Sequence, residues 1–289
     1  MTIGAAPPQD ALARLQRLRS ASPWPRIAAV AARIGYMARG AVYLSVGAIA
    51  LLAALRLSPH AVGAIGALEA WSAWPAGIVL LWAVGLGLYA FAGWRALQSI
   101  FDVDARGRRP HALATRVGQA VSGLTYGALA LSVFRLIHTL HHLNRPSETA
   151  ATRSFVARML DLPLGPWLVI AMGGFVTASG LGSIARAALD HFARGLECHP
   201  RLRIWIGVLA RAGYAGRGLA LLPAGVLLVS AGLHARASEA RGLGGALEAV
   251  AQRPFGHLVL GVTAVGLIGF GLFAVVEGWL RPMQFADKG

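Results

Sequence analysis

The chain has 289 residues, of which 56% are aliphatic, aromatic, Met or Cys and only 13% are charged, with 36 glycines besides. A soluble domain carries about 25% charged residues, so the side chains needed to cover a water-facing surface are missing and a soluble fold is excluded. The net charge of +15 rests on Arg almost alone, Lys288 being the single lysine. No basic run alternates with aromatics in a polar segment, which argues against nucleic acid as a partner, and one cysteine, Cys198, excludes an internal disulfide and a Cys-based metal site.

Residues 1–30 read as a basic cytoplasmic tail. Arg14, Arg17, Arg19 and Arg26 lie there without the apolar run and cleavage site of a signal peptide. Leu12, Leu15 and Leu18 among them fit a short amphipathic helix on an anionic inner leaflet, or a basic tail without fixed structure. Six apolar stretches follow, at Ile34–Arg56, Ala76–Ile100, Val117–Leu140, Pro166–Leu189, Val208–Leu233 and His257–Leu280. Each reaches the roughly 20 helical residues that cross a bilayer core, and each is far too long for a barrel strand of about 9–11 residues. Lys and Arg divide 19 to 8 between the two sides of these spans, the side of both termini being the richer. Basic residues accumulate on the cytoplasmic side, so the expected topology has both termini inside, in the inner (plasma) membrane.

The spans repeat. Arg33-Ile-Gly-Tyr-Met-Ala-Arg-Gly40 opens the first and Arg211-Ala-Gly-Tyr-Ala-Gly-Arg-Gly218 the fifth, with Arg, Gly, Tyr, Arg and Gly at the same places. Gly66-Ala-Leu-Glu-Ala70, followed by Pro75 and Gly77, returns as Gly245-Ala-Leu-Glu-Ala249 with Pro254 and Gly256, at almost the same distance from its span entry. The third span keeps only part of the entry, Arg116-Val-Gly-Gln-Ala-Val-Ser-Gly123, with Gln119 and Ser122 in place of Tyr and Arg. Repeats are assigned to residues 31–104, 105–195 (degenerate) and 196–289. Each is a span, a short outer helix and a second span, and two spans per unit give all three the same orientation, as in parallel-repeat membrane proteins. The expected fold is an all-α membrane protein of six transmembrane helices, arranged as three parallel two-helix repeats with pseudo-threefold symmetry.

The Arg-x-Gly-Tyr-x-x-Arg-Gly entry followed by Val42-Tyr43, together with the Ala-Leu-Glu-Ala loop, resembles the bacterial domain-of-unknown-function family 1206, described as three repeats of paired transmembrane helices. The resemblance covers roughly residues 31–284, and what it implies is topology.

Arg39 and Arg217 lie six residues past Arg33 and Arg211, the arginines that open their expected spans. An ionisable group in a membrane is a candidate functional residue, although both arginines are near enough to the inner interface to snorkel to it. Tyr36, Arg39, Tyr214 and Arg217 together suit an anionic lipid headgroup or an anionic solute, because guanidinium forks match phosphate and carboxylate oxygens. Glu277, near the inner end of the last span, is the expected ion-pair partner of Arg39 or Arg217. His138, His141 and His142 share one helix face at the outer end of the third span, with His60 and His234 on the same side. They are interfacial histidines or, as an alternative, ligands of a metal or redox centre. Gly40 and Gly47, Gly218 and Gly225, Gly123 with Ala130, and Gly85, Gly87, Gly93, Gly173, Gly174, Gly180 and Gly182 read as helix-packing positions. Pro223 marks a kink. Glu69 and Glu248 read as exposed acids on outer half-helices. No cofactor and no catalytic residue are expected; the bilayer, with its anionic headgroups, is the expected partner. Transport is the leading expectation, and a lipid- or protein-binding scaffold is the alternative.

Overall fold

The computed structural model describes residues 24–101, 110–139, 147–189 and 200–280. The basic tail with Leu12, Leu15 and Leu18, the acids Asp102 and Asp104, His141, His142 and Cys198 lie outside them. The described residues form long helices α1 (Trp24–Ala54), α3 (Gly77–Phe101), α4 (Pro110–His138), α6 (Gly165–Leu189), α7 (Pro200–Leu233) and α9 (Gly256–Leu280). Shorter helices lie between them: α2 (Ala64–Glu69), α5 (Glu148–Leu160) and α8 (Leu243–Ala251). The six long helices are long and apolar enough to cross a membrane, so the span–short helix–span order holds in every repeat.

Ends of the second helix of each repeat agree with the sequence to within a residue. The first helices do not: α1, α4 and α7 are already helical at Trp24, Pro110 and Pro200, the first described residue of each, about two to three turns ahead of apolar stretches that open at Ile34, Val117 and Val208. Helical hydrogen bonding does not stop where hydropathy falls, and Arg- and Ala-rich segments are good helix formers. The overrun matters for the charged residues. Arg39 lies nine residues past the start of the membrane-length segment Val30–Ala54, and Arg217 thirteen past the start of Ile204–Leu233. Both therefore lie at least two turns inside those segments. Helix α7 runs through Pro223 without a break in its assigned length.

Neighbours follow the order α4–α3–α1–α9–α7–α6. The second helix of each repeat packs on the first helix of the next: α3 on α4, α6 on α7, and α9 back on α1. Glycine makes these junctions close. A methyl group built on Gly40 of α1 would meet the Gly271 carbonyl of α9 at 2.8 Å. On Gly218 of α7 it would meet the Gly180 carbonyl of α6 at 2.7 Å, and on Gly123 of α4 the Ala92 carbonyl of α3 at 3.2 Å. The three pairs occupy equivalent places in the repeats, so one backbone contact is used three times, as small residues allow in membrane bundles. The packing reading also holds for Gly47, Gly225, Gly85, Gly87 and Gly173. It fails for Gly93, Gly174 and Gly182, where an added methyl would meet nothing within 4 Å; these positions point away from the neighbouring helices.

Within a repeat the pattern is uneven. Helices α1 and α3 pack together, as do α7 and α9, but α4 and α6 of the degenerate repeat do not pack along one another. Helix α4 rests on α3 and α2, and α6 rests on α7 and α5.

At the end of the bundle away from the termini the three short helices meet. Leu68 and Leu247 of the two Ala-Leu-Glu-Ala segments are fully buried beneath them. Glu248 is not an idle exposed acid: its Oε2 accepts the Ala61 N–H at 3.1 Å, and Oε1 is 3.9 Å from His60 Nδ1, tying α8 to the segment before α2. Glu69 is exposed as expected. Glu148, the first residue of α5, sits where α2 and α8 begin. Burial pushes its carboxyl above the ordinary value of 4.5, and the backbone N–H groups of Gly244, Gly66 and Gly63 hold it back, as helix N-termini do for anions.

A raised carboxyl binds its proton more tightly in the folded than in the unfolded chain. Its contribution to stability therefore falls as pH climbs from about 4.5 through the raised value. Glu148→Gln, which cannot ionise, is expected to gain thermal stability relative to the parent across that window and to match it below. Melting curves of both proteins across the range from acid to neutral pH check this; a constant gap at all pH values would contradict it.

Candidate anion site between two inward-facing arginines

The residues around Arg39 come from four helices. Its guanidinium carbon lies 4.5 Å from the ring centre of Phe270 (α9), 5.7 Å from Phe91 (α3), 5.7 Å from Tyr126 (α4) and 5.9 Å from Tyr43 (α1). Arg39 is only 7% exposed, so it does not snorkel. Its depth in α1 and the enclosing rings hold it inside. Its Nε has no hydrogen-bond partner.

Arg217 is half-buried and lies against the same Phe270 ring at 5.4 Å. Its Nε donates to the Tyr43 hydroxyl at 3.2 Å and its Nη1 to Ser183 Oγ of α6 at 2.6 Å. The Tyr126 hydroxyl donates to that of Tyr43 at 3.5 Å. A third arginine, Arg95 of α3, stands 4.9 Å from the centre of Phe91, and its Nη1 donates to Gln98 at 3.0 Å. Phe91 thus has both Arg95 and Arg39 within 6 Å of its centre, and Phe270 has both Arg39 and Arg217.

The expected ion pair to Glu277 is not formed. Among the described residues neither Arg39 nor Arg217 has an ion-pair partner. Glu277 acts on Arg39 only through space. It lies seven residues beyond Phe270, about 10 Å further along α9 at 1.5 Å per residue, so the ring and not the acid stands level with the arginines. Tyr36 and Tyr214 are present but one step back. Tyr36 packs edge-on against Phe91 with centres 5.2 Å apart, and Tyr214 against Phe270 at 5.1 Å. The hydroxyls hydrogen-bonded to Arg217 are those of Ser183 and Tyr43, with Tyr126 joined through Tyr43.

Phe91, Phe270, Tyr43, Tyr126, Ser183 and Arg95 were not singled out by the sequence. A signal existed: Phe91 and Phe270 hold the same place in the first and third repeats, and Tyr43 and Tyr126 the same place in the first and second. Local pattern did not separate them from ordinary apolar span residues.

Among the described residues the histidines form no common site. His234 Nδ1 is 2.9 Å from Glu239 Oε2, which also accepts from Ser230 at 2.6 Å, and these contacts hold the Glu239 carboxyl below its ordinary value. His60 faces Glu248, and His138 is exposed at the end of α4. Among the described residues no three His, Cys, Asp or Glu side chains gather as metal ligands would.

Among the described residues no carboxylate stands at ion-pair distance from the Arg39 and Arg217 guanidinium groups, and Glu277 acts only through space, so their charge is incompletely compensated. An isolated ion taken out of water loses several kcal/mol of solvation that only a counter-charge restores, and aromatic faces return about 0.5–2 kcal/mol each. The arrangement is suited to an anion with several oxygens, which can take Arg N–H donors, the Tyr43 and Tyr126 hydroxyls and Ser183.

The comparisons with known proteins agree with the repeats. The family described as Domain of Unknown Function (DUF1206) matches three times, at residues 34–102, 117–190 and 212–281. An uncharacterised protein of Bacillus subtilis (strain 168), YxxB, is 27% identical over 256 residues, covering 88% of this chain and 91% of that one. No solved structure matches. With six membrane-length helices paired in three matched repeats, the chain is a multi-pass membrane protein that belongs to the DUF1206 family.

Proposed function

We propose that this protein binds an anion of the phosphate or carboxylate class between Arg39 and Arg217, as a transport-related protein of the inner (plasma) membrane with both termini in the cytoplasm. The observation that carries this reading is the pair of inward-facing arginines, one buried and one half-buried, with no acid partner among the described residues. A scaffold held by Arg–Glu pairs would place carboxylates there, and a metal or redox protein would need the outer histidines to converge. The excess of Lys and Arg on the side of the termini supports the orientation. Binding is the chemistry that these residues offer, through guanidinium and hydroxyl donors.

The test is thermal unfolding of the purified protein in neutral detergent, titrated with inorganic phosphate, acetate and dihexanoyl phosphatidic acid. At least one of these is expected to stabilise it saturably, by about 2.7 kcal/mol at 100 times its dissociation constant. Arg217→Ala is expected to remove that gain. Stabilisation by none of the three would overturn the proposal.

A further inference from the structure

The degenerate repeat differs from its sisters at the places that build the site. The Arg39 and Arg217 positions correspond to Ser122 in α4, and the Phe91 and Phe270 positions correspond to Ser179 in α6. Where the first and third repeats supply a cation and a ring, the second supplies two hydroxymethyl groups. Both serines are half-buried. Ser122 is one turn from Tyr126, and the Ser179 carbonyl accepts the Ser183 hydroxyl at 2.8 Å.

This loss coincides with the gap in the bundle. Tyr126 of α4 and Ser183 of α6 both reach the Tyr43–Arg217 pair, yet α4 and α6 do not pack along one another. Among the described residues, the two helices are therefore the walls of a cleft whose floor carries the arginines. They are also the two least buried of the six spans. Leu124 and Leu131 on α4 and Leu181 on α6 are exposed on faces turned away from Ser122, Tyr126, Ser179 and Ser183. A cleft with a cationic, hydroxyl-lined floor that opens at membrane depth between helices with apolar outer faces fits a molecule with an anionic head and apolar tails. Two guanidinium groups match the nearly double charge and three terminal oxygens of a phosphate monoester better than they match a single carboxylate.

Resting on the anion-site reading above, we propose that the anion is the phosphate headgroup of a membrane lipid, which reaches Arg39 and Arg217 sideways through the cleft between α4 and α6. The tails stay between the helices and the bilayer. The head exchanges water for the Arg39 Nε–H and the neighbouring hydroxyls. Degeneracy of the second repeat is then what makes the doorway, since a ring at position 179 and a long side chain at 122 would fill it.

The experiment compares four ligands by thermal shift on the full-length protein in neutral detergent: inorganic phosphate, glycerol 3-phosphate, dihexanoyl phosphatidic acid and dihexanoyl phosphatidylcholine. Phosphatidic acid is expected to bind at least tenfold more tightly than glycerol 3-phosphate, and phosphatidylcholine to give no saturable shift. Ser179→Phe, which restores the ring of the sister repeats, is expected to weaken phosphatidic acid at least tenfold more than it weakens glycerol 3-phosphate. Equal affinity with and without tails would assign the site to a free phosphate, overturning the lipid proposal and leaving the anion site standing. Equal shifts by phosphatidylcholine and phosphatidic acid would mean that apolar adsorption alone is seen, and overturn it too. Binding of no anion at all would sink both. If Ser179→Phe does not fold, the comparison of tailed and tail-less ligands on the parent protein still decides.

Discussion

Arg39→Met is expected to raise the melting temperature of the unliganded protein and at the same time to abolish its stabilisation by an anion. Two terms set the sign. Replacing a buried ionic group by an apolar side chain of similar volume stabilises by about 1–4 kcal/mol where the charge is poorly compensated. Loss of the ring contacts opposes this by about 0.5–2 kcal/mol per well-placed face. Four rings surround the guanidinium, but only Phe270 is closer than 5 Å, and Nε goes without a partner. The net gain is expected near ~1 kcal/mol. Anion binding should weaken at least tenfold, or about 1.4 kcal/mol. Melting curves of parent and variant, with and without dihexanoyl phosphatidic acid, read both numbers. A variant that melts lower than the parent without ligand would show that the aromatic cage holds Arg39 for structure.

The second large effect is steric. Gly216 of α7 faces Gly266 of α9 backbone to backbone, and a methyl on Gly266 would lie 3.0 Å from the Ala212 carbonyl. Backbone atoms cannot rotate aside, so Gly216→Leu forces the helices apart. Small-to-large changes in packed interiors cost about 1–3 kcal/mol, and more where backbone must move. The loss is expected above ~3 kcal/mol, seen as a collapse of the melting temperature and of monodisperse material in size exclusion. Gly174→Leu is the matched control, because nothing lies within 4 Å of the methyl it would add. It is expected to be neutral or slightly stabilising, leucine being the better helix former. Equal losses at both positions would mean that α6 is covered there by a partner.

That contrast shows where sequence reading stops. The glycines of α6 form one series along the chain, yet Gly173 and Gly180 touch α7 while Gly174 and Gly182 face outward. A one-residue step turns a helix by about 100°, so neighbouring glycines serve opposite faces, and only the position of the next helix says which face is used. The repeat was legible because it is written in identity, in Arg33-to-Gly40 against Arg211-to-Gly218. The partners of Arg39 were not, because each comes from a different helix and is a common apolar or aromatic span residue when seen alone. Glu277 misled for the same reason: being the one acid of its span made it the evident partner, but its height on α9 puts Phe270 beside the arginines instead.

The sequence by itself determined that this is a membrane chain of six spans in three like-oriented pairs, since hydropathy, length and internal identity are properties of the chain and need no neighbours. Tertiary structure alone decided that Arg39 turns inward, that two cations share the Phe270 ring without an acid between them, and that α4 and α6 stand apart. Burial and charge compensation depend on which groups meet across helices far apart along the chain, and that information exists only once the bundle is assembled.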